Sequence, residues 1–202
     1  MHNIASSSDR LFCVGDTTAV ELGEADVPQL QTFFSANPDY FLAVHGEPPQ
    51  PDEARREFFD RPPSAMPFDK VQIVGFVDVQ GSLIAITSII SNLLAEHVWH
   101  ISLFIVATTL HGTGIAHALY AGLEQWLVEQ DAWWLRLGAV SGYKKAERFW
   151  IKQGYVEVRR RRDVQLGQQI HTIGVFVKPL NTRGLADYLS VVVRDRPDST
   201  LP

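Results

Sequence analysis

The sequence predicts a mixed α/β (α+β) domain built around one central sheet, on three observations. Strand-like and helix-like patterns alternate in the order strand, two helices, three strands, helix, strand, helix, two strands. The stretch Leu103–Leu127 begins as the apolar run Leu103-Phe104-Ile105-Val106 and passes through a glycine-rich turn. It then places Ile115, Leu119, Leu123, Trp126 and Leu127 at helical spacing. Finally, 202 residues with 46% hydrophobic and 20% charged side chains are enough for one well-buried domain of ordinary composition.

Taken in order, residues 1–16 are small and polar and read as a loose leader ahead of a domain over 17–180. Thr17–Leu22 is the first strand. Asp26 is placed to N-cap a helix carrying Val27, Leu30, Phe33 and Phe34 on one face, and Asn37-Pro38 ends it, because proline disfavours helix at the preceding residue. Gly46-Glu47-Pro48-Pro49-Gln50-Pro51 breaks the chain before a second helix at Asp52–Phe59. Lys70–Val79 and Ser82–Ile90 form a hairpin about Gln80-Gly81, and Glu96–Val106 is the fourth strand. A helix over 114–129 follows, then a fifth strand, Trp133–Val140. A helix over 143–152 stops before Gly154, and Tyr155–Val164 and Gln169–Val177 make a last hairpin. Residues 181–202 form a C-terminal extension in which Leu185–Val193 is apolar enough to dock on the body or on a second subunit.

Charge and cysteine content narrow the function. A net charge of −5 argues against a nucleic-acid footprint, and the one basic run, Arg159–Arg162, reads as a solvated edge or the rim of an anion site. A single cysteine, Cys13, excludes an internal disulfide framework and fits a reducing compartment. The N-terminus has no signal pattern, and no apolar run reaches the ~18–20 residues of a membrane span. The expectation is a cytoplasmic protein with neither nucleic-acid nor membrane partners.

The glycine turn carries the chemistry. The first N–H groups of a helix lack intrahelical partners and sit at the positive end of its dipole, and glycine lets an anion approach the backbone closely. There is no Gly-x-x-x-x-Gly-Lys-Ser/Thr and no Gly-x-Gly-x-x-Gly. His111-Gly112-Thr113-Gly114-Ile115-Ala116 instead resembles the Arg/Gln-x-x-Gly-x-Gly/Ala pyrophosphate loop of the GNAT acyl-CoA N-acyltransferases, with His111 in the Arg/Gln place. Tyr143-Lys144-Lys145-Ala146-Glu147-Arg148-Phe149-Trp150, continuing to Gly154-Tyr155, is similar to that family's Asn-x-x-Ala-x-x-Phe-Tyr/Trp-x-x-x-Gly-Phe segment. The Asn-Pro-Asp-Tyr-Phe wording at 37–41 resembles a branch of small bacterial members.

The resemblance implies a mostly antiparallel mixed sheet of about 6–7 strands, splayed between the fourth and fifth and flanked by about four helices. It implies acetyl-CoA as co-substrate, with no metal. Phe104, Ile105 and Val106 would pair with the pantetheine through their backbone. His111, Gly112, Thr113, Gly114, Ile115, Ala116 and His117 would wrap the pyrophosphate, and Tyr143, Ala146 and Trp150 would line the cofactor. An oxyanion donor is expected at a bulge near Phe104–Val106.

It also implies roles in catalysis. The family's glutamate base falls at His100, whose imidazole can take a proton at neutral pH, although a structural histidine is the alternative. Trp150 stands at the usual proton-donating tyrosine, where an indole can hydrogen-bond sulfur but not protonate it. Tyr40 and His100 are candidate acceptor contacts. The expected activity is transfer of an acetyl group to a primary amine of a small molecule, peptide or protein by direct attack in a ternary complex. The alternative is a non-catalytic acyl-CoA-binding or regulatory module, and a homodimer is compatible with the family.

Overall fold

A computed structural model of the chain describes residues 10–201. Eight strands form one sheet: β1 (Arg10–Val14), β2 (Thr17–Glu21), β3 (Val71–Val77), β4 (Leu83–Ile90), β5 (Val98–Val106), β6 (Trp134–Val140), β7 (Val156–Leu166) and β8 (Gln169–Pro179). Their order is β1-β2-β3-β4-β5-β6-β8-β7, antiparallel throughout except for β5 with β6. Six helices accompany them: α1 (Val27–Ala36), α2 (Asp39–Val44), α3 (Glu53–Phe59), α4 (Ile115–Glu129), α5 (Lys144–Lys152) and α6 (Leu185–Val191).

The counts exceed those expected for identifiable reasons. Residues 10–14 are not leader: Leu11, Phe12 and Val14 pack on the α4 core, and the segment pairs with β2 as an edge strand. The rest of the expected leader, residues 1–9, lies outside the described residues. Pro38 ends α1 but starts α2, since proline is tolerated in the first turn of a helix. Asp26 sits at the start of α1 without capping it; its carboxylate accepts the Gly23 N–H instead, at 2.8 Å. The fourth and fifth strands of the sequence reading are therefore β5 and β6.

Side chains divide the core by face. On one side α4 and α5 cover Val74, Phe76, Ala85, Trp99, Ile101, Leu135 and Leu137. On the other, α1 to α3 cover Ile73, Ile86, Leu103 and Ile105, while the C-terminal segment covers Val98, Trp134 and Val177 with Tyr188 and Val192. Between those two patches on the second face, a stretch of sheet stays open. The apolar tail thus docks on its own body. The hairpin β7–β8 also reaches across: the Gln168 N–H donates to His45 O at 2.9 Å, and His171 Nε2 donates to Val44 O at 2.7 Å. Gly167 makes that approach possible, because a Cβ there would lie 2.7 Å from the His45 carbonyl oxygen.

Candidate active site

The sheet opens where β5 and β6 part. Their parallel ladder joins only Val98–Ile101 with Trp134–Leu137; beyond it β5 pairs with β4 alone and β6 with β8 alone. The Ala107 N–H bonds to Ile84 O at 2.8 Å, so by antiparallel alternation Ile105 also directs its backbone to β4. Phe104 and Val106 therefore turn their N–H and C=O groups into the gap, and Ile105 does not. The expected bulge is real but lies earlier, at Ser102, where Ser88 opposes Leu103 and Ile89 opposes Ile101.

At the mouth of the gap stands the glycine turn. Gly112 and Gly114 have φ of +82° and +89°, and nothing lies within 4 Å of where a Cβ would sit on either. The N–H groups of Gly112, Gly114 and Ala116 find no acceptor among the described residues, so three donors at the positive end of α4 are free for an anion. His111 is committed elsewhere. Lys145 Nζ donates to its Nδ1 at 2.8 Å, and its Nε2 donates to Val106 O at 3.0 Å, which joins β5 to α5. His117 packs on Phe149 with tilted rings, centroids 5.0 Å apart, and takes a hydrogen bond from Gln153. A valine at 114 forces a β-branched residue into the left-handed region, at about 1–3 kcal/mol. Denaturant unfolding should accordingly show Gly114→Val less stable than the wild type by about that amount.

Trp150 is packed among Phe149, Tyr155, Tyr120 and Phe104, with centroid separations of 4.9 to 6.0 Å. Its indole N–H has no protein partner among the described residues, yet it is not among the buried unpartnered atoms. Tyr143 precedes α5 with Ala146 one turn on. Burial, then the charge of Asp39, raises the Tyr143 hydroxyl's pKa. Tyr40 packs edge-on against Phe41 and His45 at 5.3 and 6.0 Å. Burial and the neighbouring Glu57, Glu53 and Tyr143 push its pKa up as well.

Beside the gap, under α3, lies a cleft of about 430 Å³ lined by His45, Glu53, Glu57, Ser88, His100 and Ser102, with Arg56, Asp60 and Arg61 at its rim. His100 is here, but not in the state expected of a base. Burial, and then the Arg136 guanidinium, depress its pKa to about 3. Arg136 Nη1 donates to His100 Nδ1 at 3.3 Å, and that nitrogen is thereby occupied. Proton affinity has passed to Glu57, whose pKa burial raises, with Glu53 and Asp60 adding to the rise and Ser88 opposing it.

Sequence reasoning missed Glu57, Ser88 and His45. A signal for Glu57 was present: Glu53 and Glu57 repeat at i, i+4 beside the core residues Ala54 and Phe58, and like charges at that spacing repel. Behind the cleft, Arg136 forms a two-point pair with Asp195, Nε to Oδ2 at 2.7 Å and Nη2 to Oδ1 at 3.1 Å, and the Tyr188 hydroxyl donates to the same carboxylate.

Among the described residues no helix is long and apolar enough to cross a membrane, and no cluster of His, Cys, Asp or Glu is placed to hold a metal ion. No curated protein sequence matches the chain. Solved structures do. A spermidine N-acetyltransferase from Vibrio cholerae, in complex with CoA and spermine, is 15% identical over 82% of this chain and 96% of its own, with a TM-score of 0.62. An acetyltransferase from Thermus thermophilus is 18% identical over 85% and 99%, also at 0.62. A ribosomal-protein-alanine N-acetyltransferase from Escherichia coli is 14% identical over 83% and 96%, at 0.61. At such identities these show the fold. The sequence model of the acetyltransferase (GNAT) family matches residues 30–155, well over half of the sequence, and the chain belongs to that family.

Proposed function

We propose that the protein is an acetyl-CoA-dependent N-acetyltransferase acting on a primary amine. The observation that carries the reading is the juncture of the open β5–β6 gap with three free N–H donors at the start of α4. A diphosphate fits that donor set, and the extended pantetheine arm fits the backbone groups of Phe104 and the N–H of Val106. The bound co-substrate supplies an activated acetyl thioester. The chain's own residues position and deprotonate the amine.

Glu57 takes the proton from the incoming ammonium in the cleft. Its raised pKa brings its affinity nearer to that of an amine than an ordinary carboxylate's. The amine nitrogen then bonds to the acetyl carbon, the carbon–sulfur bond breaks, and the proton that the nitrogen sheds passes through water to the departing thiolate. The Trp150 indole N–H can hydrogen-bond the departing sulfur without giving up its proton. Tyr40 and Tyr143 lie close enough to act on one another electrostatically.

The burial of Trp150 where many relatives carry a tyrosine favours, as a second reading, a module that binds acyl-CoA without fast turnover. Thermal unfolding with acetyl-CoA, CoA and ATP tests the binding shared by both. At 100 times its dissociation constant acetyl-CoA should add about 2.7 kcal/mol of stability, and ATP none. Equal shifts from ATP, or no shift at all, would leave the glycine turn without its assigned role. CoA release across an amine panel then separates enzyme from module.

A further inference from the structure

Arginine can only donate hydrogen bonds, so the Arg136 Nη1 contact at 3.3 Å fixes which nitrogen of His100 is bare. Nδ1 accepts, and the neutral ring must carry its proton on Nε2. That N–H has no partner among the described residues, and His100 lines the cleft. The tautomer is held from behind: Asp195 pins Arg136 at two points, Tyr188 pins Asp195, and all three lie at most 5% exposed. The ring therefore carries its donor on the nitrogen that the Arg136 guanidinium does not contact.

The surroundings of that donor are polarised. Behind the ring stands Arg136, paired with the buried Asp195. The α3 side is negative, through Glu53, Glu57 and Asp60. Ser88, at 1% exposure, also lines the cleft, and its hydroxyl acts on the Glu57 carboxyl. It stands on β4 two residues from Ile90, the residue paired with His100. A ring N–H on β5 and the Glu57 carboxyl on α3, both lining the cleft, make a two-ended polar site. A cleft of 430 Å³ takes a small molecule.

We propose that His100 is a specificity-determining residue for the acceptor: its Nε2–H binds an anionic oxygen close to the amine that Glu57 receives, so the preferred acceptors are α-amino-acid-like amines rather than polyamines. This rests on the acetyltransferase reading but is measured separately from it. A polyamine offers that N–H no acceptor, whereas a carboxylate satisfies it.

The test compares matched pairs, L-phenylalanine with phenethylamine and L-leucine with isoamylamine, alongside spermidine. Binding is read by thermal shift and turnover by CoA release. The wild type should favour each amino acid over its decarboxylated partner by about tenfold or more in kcat/KM, and only the amino acids should raise Tm. In His100→Ala the ratio should fall toward one; in His100→Gln, whose side-chain amide can still donate, part of it should return. A ¹⁵N–¹H correlation spectrum should place the His100 proton on Nε2. A proton on Nδ1, a preference for spermidine, or a ratio unaffected by His100→Ala would each overturn the proposal. Absence of any turnover would remove the acetyltransferase reading, and the Tm comparison would still decide whether the cleft recognises a carboxylate.

Discussion

Asp195→Ala is expected to lower the stability of the protein by about 3–5 kcal/mol, because it strands a buried guanidinium. Arg136 is 5% exposed and Asp195 is fully buried, so water cannot replace the carboxylate that is lost. Denaturant midpoints of the wild type and Asp195→Ala measure the effect. The control is the double change Arg136→Met with Asp195→Leu, which removes both charges and should recover much of the loss. A midpoint unchanged in Asp195→Ala would mean that the pair is not buried in solution.

The same carboxylate has a pH signature. Burial alone would raise the Asp195 pKa, but the hydrogen bonds and charge of Arg136, with help from Tyr188 and His100, outweigh it and leave the pKa lowered. A carboxylate depressed in the folded state contributes stability above its unfolded pKa of about 3.9. That contribution disappears as pH falls through the folded value. Acid should therefore unfold the wild type with a component that Asp195→Ala lacks.

Glu57→Gln carries the largest expected effect on activity, a fall in kcat/KM of about 10²–10⁴-fold with acetyl-CoA affinity retained. The amide keeps the shape of the side chain and loses only its basicity. In the wild type the rate should climb with pH through a limb lying above the ordinary carboxylate range, since burial raises the Glu57 pKa. The variant should lack that limb. Stability moves the opposite way. A carboxyl whose pKa is raised on folding stabilises the fold below its unfolded pKa of about 4.3, and the contribution is lost as pH rises through the folded value. Near neutral pH, Glu57→Gln should thus be at least as stable as the wild type. A slow and destabilised variant would point to packing damage, and a variant of full activity would remove Glu57 as the base.

Most of the fold could be read from residues that act locally. The β5–turn–α4 stretch announced itself because apolar run, glycines and helical spacing follow one another without interruption. The strand β1 did not, since Arg10-Leu11-Phe12-Cys13-Val14 is short and its identity as a strand depends on pairing with β2 and packing under α4. The glycine turn was legible for a related reason: its free donors are backbone groups whose placement the glycines dictate. The state of His100 was not, because it is set by Arg136, 36 residues away, and by Asp195 in the tail. A pKa is a property of neighbours, and sequence spacing does not contain them.

The hydrogen bonds from the β7–β8 hairpin to His45 and Val44 give the opening in the sheet a further property. A fork hinged at one end widens easily, but this opening is fastened at both. The short ladder at Val98–Ile101 closes one end, and the strap from the hairpin tip spans toward the other. It is an eyelet, and its span is set before any ligand arrives.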